Sequence, residues 1–223
     1  MALFVCKDIK DIKIQEIYII GSLNGCQHNK DILLKVGDTW CINLHLPDGI
    51  YFYKYVVNQY IKLNDPTSEK YALDEQNEMW SIVRIRDNQI SNPVLKDTMH
   101  IQKYIITNRL WHDISENFTQ KVINLKTDRK VCLGIKLQMQ VGLHQITVLW
   151  YEPSMSLYHI SEHTFYGETH RKEEFQTKWF CLDLSQKQRE YPEGVWIIRV
   201  FINGYYKLQD YFRLSHEPSF KVR

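Results

Sequence analysis

The sequence predicts an all-β protein made of two antiparallel β-sandwiches in tandem, and three observations lead there. Ile, Val, Thr, Tyr, Phe and Trp supply 76 of the 223 residues while Ala occurs only at positions 2 and 72, a composition that favours strands and forms helices poorly. Apolar runs are short and are interrupted at close intervals by turn residues, the pattern of a sandwich rather than of a bundle. A hairpin-like segment also occurs twice, 145 positions apart. With 44% apolar and 24% charged residues the chain has the make-up of a globular protein, which excludes disorder and coiled coil.

The elements follow in order. Ile17-Tyr18-Ile19-Ile20 reads as a strand stopped by Gly21-Ser22-Leu23-Asn24-Gly25, and Ile32 to Val36 as a second stopped by Gly37-Asp38. Trp40 to Leu46 ends at Pro47-Asp48-Gly49; Ile50 to Val57 then turns through Asn58-Gln59 into Tyr60 to Leu63, a hairpin with a two-residue turn. Trp80 to Ile85 adds a further strand. Residues 86–99 are polar, contain Asn92-Pro93 and show no sustained period, so the division expected is 1–86, a linker at 87–100, and 101–223. The second part carries strands at Val131 to Gln140, His144 to Tyr151, Leu157 to Phe165, Phe175 to Leu184, and the pair Val195 to Ile202 with Tyr205 to Leu208. Lys103 to Thr107 and Val122 to Leu125 are either added strands or segments packed across the junction.

The repeat pairs Pro47 to Asp65 with Pro192 to Asp210 without a gap. Pro-acid-Gly breaks the chain, two strands alternate faces, and Asn-Gln or Asn-Gly supplies the positive φ angles of a tight hairpin. Period-two geometry puts Tyr51, Tyr53, Tyr55 and Val57 on a core face, mirrored by Trp196, Ile198, Val200 and Ile202. On the opposite face Lys54 and Arg199 are the only charges, read as cations that snorkel from a half-exposed sheet.

Lys and Arg (28) nearly balance Asp and Glu (26), and a net charge of +2 calls for neither nucleic acid nor an acidic membrane surface. The densest charge run, Arg171-Lys172-Glu173-Glu174, neutralises itself and reads as a solvated loop. The five cysteines, at 6, 26, 41, 132 and 181, are odd in number and show no C-x-x-C spacing, so no zinc ribbon, redox motif or disulfide scaffold is expected and a reducing, cytoplasmic compartment fits. Met1 to Val5 is too short an apolar stretch for a signal peptide, and no apolar run approaches a membrane span.

Residues 16–85, read together, resemble a family 48 carbohydrate-binding module, the early-set type of immunoglobulin-like sandwich found as the glycogen-binding domain of the AMP-activated protein kinase beta subunit. The matching elements are Gly21-Ser22-Leu23-Asn24, Leu44-His45-Leu46-Pro47-Asp48-Gly49, Tyr53-Lys54-Tyr55-Val56-Val57-Asn58-Gln59-Tyr60, Asn64-Asp65-Pro66 and Ser81-Ile82-Val83-Arg84-Ile85. The resemblance implies an α-glucan site in which Tyr60 is a stacking platform and Lys54 a hydrogen-bond donor. It departs from the family where the first tryptophan falls at Cys26 and where an asparagine is replaced near Trp80 and Ser81; Trp80 is the candidate replacement surface. Residues 100–214, with Val148-Leu149-Trp150-Tyr151-Glu152-Pro153, follow the general grammar of bacterial immunoglobulin-like domains.

Catalytic signatures are missing. His159 and His163 bracket Glu162, but in a strand that spacing separates them by about 13 Å, too far for one metal ion. There is no P-loop, Rossmann glycine set or Gly-x-Ser-x-Gly elbow. Asp48, Asp65 and Asp183 each fall at a turn or strand end, and Cys26 and Cys181 have no activating histidine. Trp150-Tyr151, Trp179 and Tyr205-Tyr206 read as core or rim packing ahead of the alternative, a groove for glycan or peptide. The expectation is a non-catalytic binding protein with a degenerate α-glucan module, without cofactor or metal. The alternative is a structural adaptor that docks a protein partner or a second copy of itself through strand edges and aromatic faces.

Overall fold

The computed structural model describes residues 1–87, 89–90, 99–115, 119–168, 174–186 and 188–217. Residues 88 and 91–98 of the expected linker, and Arg171, Lys172 and Glu173 of the charged run, lie outside the described residues. Among the described residues there is no α-helix, only a single 3-10 turn at Ser22–Asn24.

The first ten strands are β1 (Ala2–Lys7), β2 (Ile17–Gly21), β3 (Asp31–Ile32), β4 (Leu34–Val36), β5 (Thr39–Leu44), β6 (Gly49–Val57), β7 (Ile61–Leu63), β8 (Lys70–Leu73), β9 (Met79–Arg86) and β10 (Gln89–Ile90). They form one sheet in the order β1-β5-β4 and another in the order β10-β9-β6-β2-β3, with β7 on β6 and β8 on β9. The remaining strands are β11 (Ile101–Thr107), β12 (Val122–Asn124), β13 (Lys130–Gln138), β14 (Gly142–Tyr151), β15 (Leu157–Gly167), β16 (Phe175–Asp183), β17 (Gly194–Ile202) and β18 (Tyr205–Ser215). These build sheets β11-β13-β16 and β12-β18-β17-β14-β15. All pairings are antiparallel except β12 with β18, and each sheet draws its strands from one side of residues 91–98 only. The fold is thus an all-β arrangement of antiparallel sandwich layers, as the composition and punctuation predict.

Local chemistry explains most boundaries. The stretch read as one strand from Ile32 to Val36 is two, because Leu33 is buried and its amide bonds to the Ile17 carbonyl, and the chain there passes from one sheet to the other. Asn58 and Gln59 take φ angles of 49° and 69°, as a tight hairpin demands, but pairing resumes at Ile61 opposite Val57 and Tyr60 stands outside the ladder. The second copy turns through Asn203 (φ 51°) and Gly204 (φ 80°) directly into the pair Ile202 and Tyr205. Lys103 to Thr107 and Val122 to Leu125 resolve as β11 and β12, added strands of the second half.

The alternation read from the repeat holds. Tyr53, Tyr55 and Val57 are buried in the first core with Phe4, Ile19 and Trp40, and Trp196, Ile198, Val200 and Ile202 in the second with Trp150 and Phe212. The opposite face behaves differently from the expectation. Lys54 is 0% and Arg199 5% exposed, so neither cation snorkels. Residues arriving from elsewhere cover both: Glu78 and Trp80 over Lys54, Gln209 and Tyr151 around Arg199.

The two halves share a core. Leu149, Tyr151 and Phe201, on the face of β14 and β17 turned away from the second core, are packed into the first one. Around that apolar seam the Asn64 side-chain amide donates to Gln145 Oε1 at 2.8 Å and the Tyr206 hydroxyl to Asp11 Oδ2 at 2.7 Å. The tip of the second hairpin fits against the first half so closely that a Cβ on Gly204 would stand 1.7 Å from the Asn64 carbonyl oxygen.

One cysteine expectation is corrected. Cys132 and Cys181, 49 residues apart, are joined by a disulfide between opposite positions of β13 and β16, leaving Cys6, Cys26 and Cys41 free. No sequence spacing announces this pair because strand register, not local proximity, brings it together.

Gly204→Ala should therefore cost more stability than Gly25→Ala. Both positions have positive φ, worth about 1–3 kcal/mol against alanine, but Gly25 faces open space and Gly204 faces backbone. The expected excess, measured by urea denaturation of the two variants, is about 1–3 kcal/mol from overpacking; equal losses would contradict the tight seam.

Candidate functional site

Lys54 projects from the outer face of β6 into a small cluster built on Tyr18, Ile20, Val56 and Trp80. Its ammonium donates to Glu78 Oε1 at 2.7 Å and lies 5.2 Å from the centre of the Trp80 ring, the geometry of a cation–π contact. Lys62, from β7, approaches the same Glu78 oxygen at 3.5 Å. The turn between β8 and β9 presents Glu78. Asp74 accepts the amides of Gln76 and Glu78 and, through its other oxygen, the Trp80 indole N–H at 2.8 Å. That indole bond is the main reason the Asp74 carboxyl is held below its ordinary range. One short acidic turn thus fixes both the carboxylate and the ring that enclose Lys54.

With its side chain 1% exposed, Lys54 has no free donor face for a sugar. The residue at the position of the missing tryptophan, Cys26, is exposed in a left-handed turn (φ 56°) and offers no ring. Of the three candidate site residues, the structure brings Lys54 and Trp80 together and leaves Tyr60 apart. Tyr60 sits at the tip of the first hairpin, 70% exposed.

Tyr60 instead borders an open groove of about 670 Å³ between the two halves, whose lining includes neither Lys54 nor Trp80. Its apolar lining comes from Ile61 on one side and Tyr151, Leu157 and Ile160 on the other; Gln15, Asn58, Ser156 and His159 add polar groups. No aspartate, glutamate, lysine or arginine lines it. The near lip is rigid: the Asn58 side chain accepts the Gln15 amide at 2.8 Å and donates to the Lys13 carbonyl at 2.9 Å. The far lip is shaped by a turn in which Met155 has φ 67° and Glu152 N–H donates to the Ser156 carbonyl. Burial, and to a lesser extent the charge of Arg189, hold His159 below the ordinary imidazole range, so its ring is neutral at neutral pH. The groove is thus uncharged, with seven aromatic or aliphatic residues and four that carry an amide, a hydroxyl or an imidazole. Tyr60 is legible in the sequence and the far wall is not: Tyr151 reads first as packing, and His159 is singled out only for a metal spacing that a strand rules out.

The other candidates occupy structural posts. Asp65 is 4% exposed and accepts the hydroxyls of Tyr53 and Tyr55 at 2.7 and 3.1 Å; burial first, and then the Asp65 charge, drive both phenols well above their usual range. Asp48 accepts the Asp87 amide, tying the start of β6 to the end of β9, and Asp183 accepts the Ser185 amide and hydroxyl within its own turn. His159 and His163 lie along β15, opposite Trp150 and Ile146. Among the described residues no group of three or more His, Cys, Asp or Glu side chains could hold a metal ion. No helix of the described residues is long and apolar enough to cross a membrane.

The Lys54 cluster yields a stability test. Glu78→Gln leaves a buried ammonium without its carboxylate and should cost about 3 kcal/mol, whereas Lys54→Met removes the charge with the need for it and should stay within about 1 kcal/mol of the parent. Urea midpoints of both variants check this; a larger loss for Lys54→Met would contradict it.

No protein-family model matches the chain, and no curated protein matches it. Among solved structures it is similar to an alkylpurine DNA glycosylase from Pseudomonas fluorescens bound to DNA containing an abasic-site analogue, at 14% identity and TM-score 0.34 over 54% of this chain and 31% of that one. It is also similar to an immunoglobulin-like protein from Pseudomonas aeruginosa, at 16% identity and TM-score 0.35 over 53% of this chain and 98% of the other. A third is a maltogenic amylase from S. marinus, at 13% identity and TM-score 0.31 over 96% of this chain and 27% of that one. The chain thus spans under a third of the glycosylase and of the amylase, and at these TM-scores none of the three likenesses carries a functional argument.

Proposed function

We propose that the chain is a non-catalytic binding protein that holds a neutral, hydroxyl-rich polymer, an α-glucan, against Tyr60 in the groove between its halves. The observation that carries this reading is the groove itself: an uncharged trough of about 670 Å³ with the face of Tyr60 70% exposed at its mouth. Sugar rings bind by laying their apolar C–H faces on flat aromatic rings while a few amides and hydroxyls orient them. A ligand with formal charge would find no counter-ion among the lining residues, and would leave its hydration for nothing. The resemblance of residues 16–85 to a glycogen-binding module supports the same ligand class. Three of its usual contacts are lost, the tryptophan to Cys26, the asparagine near Trp80 and Ser81, and the lysine to the burial of Lys54, and in this reading the wall from Tyr151 to Ile160 stands in for them.

Migration in a native gel containing glycogen or amylopectin tests the proposal. Retardation of the parent chain is expected, with Tyr60→Ala weakening apparent binding at least about tenfold, or about 1.4 kcal/mol. Lys54→Met should retain retardation, since that ammonium is enclosed. Parent migration unaffected by the polysaccharide would overturn the reading.

A second reading has its own observation. On the outer face of the β1-β5-β4 sheet, Leu3, Val5, Leu34 and Val36 are 50%, 39%, 72% and 61% exposed, an apolar surface that suits a protein-docking adaptor. It takes precedence if the gel shows no retardation while Leu34→Lys abolishes a self-association seen by sedimentation of the parent.

A further inference from the structure

We propose that Cys132 and Cys181 form a reversible redox site that exchanges with a dithiol in the folded state, and are not merely a staple of the second half. Three features of the sheet lead to it. The two residues are directly opposite one another in the β13–β16 ladder, within a run of nine paired positions from Lys130 with Asp183 to Gln138 with Phe175. The ladder therefore keeps the two residues opposite each other with or without the sulfur–sulfur bond, their Cα atoms being 4.1 Å apart with it formed, and reduction leaves the thiols facing each other and ready to close again. The pair lies on the outer face of the sheet, because Val131 and Leu133, on either side of Cys132, point into the core. Opening the bond removes no core contact.

Access is one-sided. Cys181, on the edge strand β16, is exposed, whereas Cys132, on the central strand β13, is 0% exposed. An incoming thiolate therefore approaches the bond from the Cys181 side. It forms a mixed disulfide there as the bond to Cys132 breaks, and the Cys132 sulfur leaves with the electron pair and takes up a proton. The second thiol of the same dithiol, as thiolate, then attacks its own sulfur in the mixed disulfide and releases Cys181 as thiolate, which is protonated in turn. The dithiol is oxidised to its disulfide and the protein reduced by two electrons and two protons. A monothiol must find a second molecule for that last step, so a dithiol, free or in an oxidoreductase, is the partner class. Trp179, two residues before Cys181 on the same face and laid across Gly134, reports the change, since a nearby disulfide quenches indole emission.

Folded protein, first equilibrated with oxidised glutathione, is treated with dithiothreitol without denaturant, alkylated and mapped by mass. Cys132 and Cys181 are expected to pass from a mapped disulfide to two alkylated thiols, so that with Cys6, Cys26 and Cys41 all five cysteines are reduced; the far-ultraviolet circular dichroism is unchanged, tryptophan emission increases, and the Cys132–Cys181 bond is recovered on reoxidation. In native single variants, Cys181 in Cys132→Ser should alkylate at least tenfold faster than Cys132 in Cys181→Ser. The proposal is overturned if the bond opens only when urea is added, if five thiols remain after oxidation, or if the two cysteines alkylate at equal rates.

Discussion

The burial of one face of β14 and β17 in the first half's core is the contact on which the rest of the molecule depends. A sandwich strand normally offers one face to its own core and the other to water. Here Trp150, Ile198 and Val200 fill the second core while Leu149, Tyr151 and Phe201, on the alternate positions, fill the first. Two strands thus serve two cores, and their sequences are apolar on both faces for that reason. The seam sets Tyr151 and Tyr60 along one groove, which neither half has alone.

The duplicated hairpin shows how one local grammar acquires two environments. Both copies put alternate side chains inward and a cation outward, and both cations end up enclosed over an aromatic ring: Lys54 over Trp80 at 5.2 Å, Arg199 over Tyr151 at 4.3 Å. The covering groups come in both cases from neighbouring strands and turns of the same half and differ in charge. Lys54 gains a full ion pair with Glu78. Arg199 gives its Nε–H to the neutral Gln209, its cross-strand neighbour, 2.8 Å away. A guanidinium tolerates that arrangement better than an ammonium would, because it is less strongly hydrated and stacks its plane on the ring.

This difference also marks what a sequence can disclose. Period two and turn chemistry depend on residues within ten positions of each other, and they located β6, β9, β14 and β17, the hairpin φ angles and the core faces of Tyr53 and Trp196. The burial of Lys54 depends on a turn more than twenty positions away, and the Cys132–Cys181 bond on which residues stand opposite across two strands. Strand β1 escaped notice for a related reason: Ala2 and Phe4 alternate with exposed Leu3 and Val5, all of them apolar, so no polar period reveals the inward face. Tyr60 was legible because a hairpin tip is exposed whatever the rest of the chain does. Its partners on the far wall were not, since they belong to two strands and a turn more than ninety positions later.

The seam also bears on how well the groove is prepared for a ligand. If the halves were tethered only by their connecting segment, a ligand between them would have to fix their orientation and bear that entropy. Several short contacts fix it beforehand: the close approach of Gly204 to the Asn64 carbonyl, the Asn64–Gln145 hydrogen bond, and the Tyr206–Asp11 bond. Each constrains a different point around the apolar seam, and together with Phe201 they restrict sliding and rotation alike. Tyr60 and Tyr151 are then held at a set separation before anything enters, so the free energy of stacking a ring on Tyr60 appears as affinity instead of being spent on bringing the walls together.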